Sequence, residues 1–125
     1  MHRCACRYLC LLVLAFAGVA RGQEQSVRPG INDAFRNPDV GEFVGRFEVE
    51  SREVFAKRAA IVDACRITPG ATVADIGAGT GLFTRLFSDA VGEQGLVIAV
   101  DISQNFLDHI VAECRASGRN NVETL

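Results

Sequence analysis

The stretch DIGAGTG, residues 75–81, places three glycines at alternate positions directly after a carboxylate. Because glycine has no Cβ, such a loop can turn tightly, adopt positive φ and bring its backbone amides against a ligand at a helix N-terminus. Asp75, at the head of the loop, would repel a phosphate and attract a cation. A second carboxylate, Asp101, directly follows another apolar run. These residues predict a ligand site built from bare backbone and two acids.

Two common glycine-loop motifs fit this stretch poorly. The dinucleotide fingerprint G-x-G-x-x-G would place its third glycine where the chain has Leu82, because the third glycine has moved forward to Gly81. A phosphate-binding P-loop fails more plainly, since it needs Gly-Lys followed by Ser or Thr to hold phosphate and metal. The loop therefore favours a ligand whose charge beside Asp75 is positive.

Alternating strands and helices must position these groups. Apolar runs at 71–76 and 96–100 predict two strands, and the second run lacks alternation, as in a strand covered by helices on both faces. Apolar residues at helical spacing predict helices over 82–91 and from Ser103 towards Gly118, and a further extended run begins at Asn121. The order predicts an α/β fold, a Rossmann-like doubly wound parallel sheet with its strands in the order three, two, one. Ligands bind at the carboxyl ends of such strands, so the glycine loop and Asp101 should lie side by side.

A helical segment precedes the first strand. Residues 37–39, Asn-Pro-Asp, predict a helix start with Asn37 as the cap and proline at the first helical position. The apolar spacing that follows predicts two helices, or one helix broken near Glu50. Three aromatic residues of this segment are assigned to the core rather than to the ligand site: Phe43, Phe47 and Phe55.

The first part of the chain has the composition of a targeting segment. Residues 1–22 combine a basic start, an apolar stretch and small residues before a cleavage position, which predicts a signal peptide. The apolar stretch is too short for a bilayer core of about 30 Å, so no stable membrane span is predicted. Residues 23–37 are predicted to form a flexible lead, and residues 38–125 are predicted to form the folded domain. The protein is expected to be exported, to the periplasm or out of the cell. The alternative is a cytoplasmic protein whose start codon was assigned too early. Export of a reporter fused to residues 1–30 would exclude this alternative.

Charge and cysteine content limit the partners. The chain has 13 Lys and Arg against 15 Asp and Glu, and three of its arginines lie within residues 1–22. The remaining part is acidic and has no basic cluster, which argues against nucleic acid as a partner. Outside the predicted signal the cysteines are Cys65 and Cys114, both at predicted core-facing helix positions. Buried free thiols are expected there, and no metal site is predicted.

The segments VADIGAGTG, residues 73–81, and VIAVDIS, residues 97–103, together resemble the cofactor half of class I S-adenosylmethionine-dependent methyltransferases. The resemblance covers roughly residues 42–125. It implies S-adenosyl-L-methionine as the cofactor and a methyl acceptor of unknown kind. The cofactor-binding residues that it implies are Asp75, Gly77, Ala78, Gly79, Gly81, Asp101 and Ile102.

The resemblance also implies a role for each part of this site. The acid matching Asp75 helps to hold the methionyl amino group, and the loop matching residues 77–81 lies against the methionyl and ribose parts. The acid matching Asp101 takes both ribose hydroxyls, and the residue matching Ile102 packs on the adenine. A carboxylate suits a ribose diol because it can accept two charge-assisted hydrogen bonds. Each acid also has a purely structural interpretation: Asp75 as a cap for the following helix or loop, and Asp101 as a turn former.

The resemblance leaves the catalytic base and the acceptor undetermined. A complete sheet of this family has seven strands, whereas this chain supplies three at most, so an N-terminal fragment of a longer protein, inactive by itself, is expected. Two alternatives stay open: an NAD-type Rossmann oxidoreductase, and a non-catalytic exported α/β binding module. The second gains support because exported compartments are not expected to supply S-adenosylmethionine.

Overall fold

The computed structural model describes residues 28–125, so the predicted signal peptide, residues 1–22, lies outside the described residues. The unit that carries the fold is Ile31–Leu125. Within residues 28–125 no helix has the length and apolar composition needed to cross a bilayer. The elements in chain order are α1 (Asp33–Arg36), α2 (Val40–Phe47), α3 (Glu53–Ala56), α4 (Arg58–Cys65), β1 (Thr72–Ile76), α5 (Leu82–Val91), β2 (Leu96–Val100), α6 (Gln104–Ala116) and β3 (Val122–Thr124).

The three strands form one parallel sheet in the order β1-β2-β3, which confirms the predicted topology. Val97 and Ala99, on one face of the middle strand, have no exposed surface, whereas Leu96, Ile98 and Val100 on the other face are half-buried. The predicted cover on both faces is therefore complete on one face and partial on the other. Ile76 lies opposite Val100 in the register, so β1 and β2 end at the same edge of the sheet. The glycine loop after β1 therefore lies beside Asp101, the residue after β2.

Helix α6 supplies four of the eight buried hydrophobic residues among residues 28–125. Its side chains Ile110 and Cys114 form a buried cluster with Ala99 of β2, and Ala78 and Val122 pack against this cluster. Full burial of an aliphatic side chain contributes about 1.5–3 kcal/mol relative to leaving it exposed. Ser103 begins the helix by accepting a hydrogen bond from the backbone N–H of Phe106. The cap and the buried stripe together hold α6 against β2, β3 and the glycine loop.

The two cysteines differ in their surroundings. Cys114 is a free thiol with 2% of its surface exposed, and burial raises the pKa of that thiol, so the neutral form is favoured. This confirms the prediction for Cys114. The prediction that Cys65 is buried is wrong, because Cys65 is exposed. The reason is that α4 has no buried residue and the chain turns away immediately after it, at Arg66 in the left-handed conformation.

The helical segment before the sheet is broken where its apolar spacing predicts. Helix α2 ends at Phe47 and α3 starts at Glu53. The assignment of Asn37 as the helix cap is wrong: Asp39 caps α2, and its side chain accepts a hydrogen bond from the backbone N–H of Glu42 at 3.1 Å. Asn37 instead ends α1, a four-residue helix that falls within the stretch predicted to be a flexible lead. The domain boundary at residue 38 stays a prediction.

Candidate functional site

The glycine loop is fastened to the end of β2 by its own amides. The backbone N–H groups of Gly77 and Ala78 both donate to the carbonyl of Val100, at 2.8 and 3.1 Å, and that of Gly79 donates to Oδ2 of Asp101 at 2.9 Å. The expectation that these amides face a ligand is therefore wrong, because acceptors within the protein already take them. What the loop offers a ligand is bare Cα surface.

All three loop glycines need the conformation that only glycine adopts without strain. Their φ angles are 77° at Gly77, 54° at Gly79 and 77° at Gly81. The space around them differs. A Cβ added to Gly77 would meet nothing within 4 Å, whereas one added to Gly81 would lie 2.6 Å from Cγ1 of Ile110. Gly77 therefore borders open space, and Gly81 allows the loop to approach α6 closely.

Asp101 is held rigidly at the edge of the sheet. Its Oδ2 accepts the amide of Gly79, and its Oδ1 accepts the backbone N–H of Ser103 at 2.9 Å. The second bond is the side-chain turn that its structural interpretation predicts. Each carboxylate oxygen has two lone pairs, so each can accept a further hydrogen bond from a ligand hydroxyl. The structural and the binding interpretations of Asp101 are thus compatible, because the turn orients the carboxylate.

Asp75 makes its contacts on the helix side of the loop. Its Oδ2 accepts a hydrogen bond from the Thr84 hydroxyl at 2.6 Å. Thr84 is fully buried in the first turn of α5. Burial raises the pKa of Asp75, hydrogen bonding from Thr84 opposes this effect, and the negative charge of Asp101 adds to it. The bond to Thr84 ties Asp75 to the first turn of α5, while its predicted role as a cap for backbone amides stays a prediction.

A cavity of about 450 Å³ runs along the carboxyl ends of β1 and β2. Four of the predicted site residues line it: Gly77, Gly79, Asp101 and Ile102. Ile102 has 61% of its surface exposed and so presents an apolar face for a ligand. The other three predicted residues, Asp75, Ala78 and Gly81, belong to the same loop but do not line the cavity. Their predicted contacts with a cofactor stay a prediction.

The helices before the sheet complete the cavity wall. Asn32, Phe35 and Phe47 line it, and the sequence did not assign any of them to the site. Phe43 lies behind this wall with 7% of its surface exposed, which confirms its assignment to the core. The centroid of its ring lies 5.2 Å from the ring centroid of Phe47 and 5.5 Å from that of Phe106, and both pairs have edge-to-face geometry. The assignment of Phe47 to the core alone is wrong, because Phe47 also borders the cavity.

The assignment of Phe55 to the core is wrong. Helix α3 has no buried residue, and the guanidinium of Arg58 lies over the Phe55 ring at 4.0 Å from its centroid. The spacing that grouped Phe55 with the core presumes one continuous helical face. That face ends at the breaks between α2, α3 and α4.

We expect the substitution Asp75→Asn to change how stability depends on pH. Folding raises the pKa of this carboxyl, so the folded state binds the proton more tightly than the unfolded state does. The resulting contribution to the free energy of unfolding is fully present below the ordinary aspartate pKa and is lost as pH rises through the raised value. Asparagine does not titrate. Chemical unfolding of both proteins across the acid range should therefore show the wild type losing stability relative to Asp75→Asn as pH rises through this window. Parallel curves would show that Asp75 titrates alike in the folded and unfolded protein.

The parallel sheet, the glycine loop and the acid after β2 place the chain in the Rossmann-like fold class of S-adenosylmethionine-dependent methyltransferases. Within that class, residues 49–125 match the family model described as protein-L-isoaspartate(D-aspartate) O-methyltransferase, and the chain belongs to this family.

Individual relatives agree with this class. The chain is 29% identical over 104 residues to the demethylmenaquinone methyltransferase of Shouchella clausii, and the aligned part is 83% of this chain and 43% of that protein. It is similar in structure to a SAM dependent methyltransferase from Aquifex aeolicus, with a TM-score of 0.59, 26% identity and coverage of 70% of this chain and 46% of the other. A coclaurine N-methyltransferase bound to N-methylheliamine and SAH matches with a TM-score of 0.52 and 26% identity, over 63% of this chain and 24% of that enzyme. The chain spans less than half the length of each of these relatives.

Proposed function

We propose that the chain binds S-adenosyl-L-methionine and forms the cofactor-binding part of a methyltransferase. The observation that carries this proposal is the position of Asp101. Its carboxylate, held by two backbone amides, borders a cavity of about 450 Å³ beside glycines whose missing side chains leave room for a ligand. The relative from Aquifex aeolicus is named as SAM dependent, which supports the same cofactor here.

The lining residues suit a nucleoside of this kind. The carboxylate of Asp101 would accept the hydroxyls of the ribose, and the exposed face of Ile102 would pack on the adenine. The aromatic rings of Phe35 and Phe47, which also line the cavity, would add apolar surface against the nucleoside. The bare backbone at Gly77 and Gly79 would leave space for the remaining part of the cofactor.

When bound, S-adenosylmethionine would supply a methyl group from its sulfonium sulfur: the acceptor would bond to the methyl carbon as the carbon–sulfur bond breaks, and S-adenosylhomocysteine would leave. The residues described here bind and orient the cofactor, and the negative charges of Asp75 and Asp101 favour a cation at this edge of the sheet. No general base is assigned to them, since only some acceptors need one. The names of the matched family and relatives refer to different methyl acceptors, so the part that they share with this chain is the methyl-donor half.

Thermal protection tests the cofactor assignment. We expect S-adenosylmethionine and S-adenosylhomocysteine each to raise the unfolding temperature of the protein, while NAD and NADP leave it unchanged. At a ligand concentration of 100 times Kd, binding stabilises the folded state by about 2.7 kcal/mol, a shift that is easily measured. The NAD-type alternative is not favoured, because Leu82 occupies the third glycine position of its fingerprint. Protection by NAD alone would overturn the proposal.

A further inference from the structure

The side chain of Arg85 connects three parts of the molecule around the cavity. Arg85 lies in the first turns of α5, with 19% of its side chain exposed. Its Nη1 donates to the backbone carbonyl of Thr80 at 3.0 Å, and its Nη2 donates to Oε2 of Glu48 at 2.7 Å. Thr80 belongs to the glycine loop, and Glu48 ends α2. One guanidinium therefore joins the loop, the helix after it and the helix before the sheet.

The partners of Arg85 are the direct chain neighbours of cavity-lining residues. Glu48 follows Phe47, which lines the cavity, and Thr80 follows Gly79, which lines it from the loop. Thr80 has 3% of its surface exposed, so its backbone has little freedom to move independently. A displacement of Arg85 would consequently reach two cavity-lining residues on different elements, each through a single peptide unit.

The pairing of Glu48 depends strongly on Arg85. The side chain of Glu48 is 15% exposed, and its second oxygen, Oε1, is buried without a hydrogen-bond partner in the described part of the chain. Removing one partner of a buried ion pair leaves an uncompensated charge, whereas replacing both partners with apolar residues of similar volume is often neutral for stability. This asymmetry allows a positioning role to be separated from a contribution to stability.

We propose that Arg85 is a positioning residue of the cofactor cavity, which sets the separation between Phe47 and the glycine loop through Glu48 and Thr80. The part of this proposal that concerns cofactor affinity depends on the proposed function. The part that concerns the geometry of the loop does not, because it can be measured without any ligand.

The test uses four variants of the purified protein. Arg85→Met breaks the ion pair, and the double variant Glu48→Leu/Arg85→Met removes both charges. Arg85→Lys keeps the positive charge but replaces the two-pronged guanidinium with one ammonium, which cannot contact Thr80 and Glu48 in the same way. The matched control is Arg119→Met, because Arg119 also pairs through two N–H groups, at 2.9 Å each, with Asp89 on the other end of α5.

Two measurements separate the roles. Amide hydrogen exchange, followed by mass spectrometry, reports on residues 77–81 without ligand, and calorimetric titration reports the affinity for S-adenosylhomocysteine. We expect the double variant to unfold near the wild-type temperature and yet to exchange its loop amides at least about tenfold faster, with exchange in β2 unchanged. Its affinity should fall by about tenfold or more, because small misplacements of binding groups are costly. Arg85→Lys should show the same loop effect in weaker form, and Arg119→Met should show neither effect.

The outcomes distinguish the two proposals. Loop exchange and affinity at wild-type values in the double variant and in Arg85→Lys would overturn the role of Arg85. Faster loop exchange in a protein whose wild type does not bind S-adenosylhomocysteine would uphold the structural link while refuting the cofactor assignment. If the double variant does not fold, Arg85→Lys decides by the same exchange measurement.

Discussion

Substitution of Asp101 by alanine is expected to weaken the binding of S-adenosylhomocysteine by about a hundredfold to ten-thousandfold. Two hydrogen bonds from a ribose diol to a carboxylate contribute about 1.5–3 kcal/mol each, and each 1.4 kcal/mol corresponds to a factor of ten in Kd. The loss also removes the acceptor for the amides of Gly79 and Ser103, so the loop loses its attachment to the end of β2. Calorimetric titration of both proteins measures the change directly.

Two controls isolate the contribution of the carboxylate. Asp101→Asn retains the shape of the side chain and one acceptor oxygen, so it should bind with an affinity between those of the wild type and Asp101→Ala. Glu113→Ala removes an exposed carboxylate from α6 at a distance from the cavity and should bind like the wild type. If Asp101→Ala bound within threefold of a wild type that itself binds, Asp101 would be only a turn former.

Strand order and the common edge of β1 and β2 could be predicted because they follow from local patterns. The apolar run before Asp101 has no alternation, and a strand of that kind belongs inside a sheet covered by helices. Short strand–helix links then require parallel pairing and right-handed crossovers. The residues at the strand ends, Gly77 and Asp101 among them, are fixed in space once the strands are paired.

The part of the cavity wall that comes from the helices before the sheet could not be predicted in this way. Phe43 and Phe47 lie one turn apart on α2, and only the docking of that helix determines which ring faces the core and which faces the cavity. The docking uses polar contacts between residues far apart in sequence, such as the bonds from Asn105 to Asn37 and to the carbonyl of Pro38. No periodicity in the sequence reports such contacts.

Gly95 shows the same limitation in the loop before β2. Nothing in its sequence context distinguishes it from a surface turn glycine. In the structure, a Cβ added there would lie 2.4 Å from Cβ of Val91 and 2.7 Å from the carbonyl oxygen of Ala71. The need for glycine arises from the close approach of α5 and the start of β1, which is a property of packing rather than of local conformation.

The alternate glycines of the loop are expected to separate into two functions when each is replaced by alanine. Gly81→Ala should destabilise the fold by about 2–5 kcal/mol, since a left-handed non-glycine residue costs about 1–2 kcal/mol and forced overpacking about 1–3 kcal/mol more. The clash is severe because the neighbouring Ile110 is fully buried and branched at Cβ, so its side chain has little room to move. Chemical unfolding at neutral pH measures this loss.

Gly77→Ala is the matched comparison, because Gly77 has the same φ of 77° but faces open space at the cavity. It should lose only the conformational part of the stability, about 1–2 kcal/mol. Its methyl group would project into the space that the proposed cofactor occupies, so its affinity for S-adenosylhomocysteine should fall more than its stability does. Gly81→Ala, measured at a temperature where it is folded, should bind more tightly than Gly77→Ala. The reverse order would mean that Gly81, and not Gly77, borders the ligand, and that the cavity along β1 and β2 is not where the nucleoside binds.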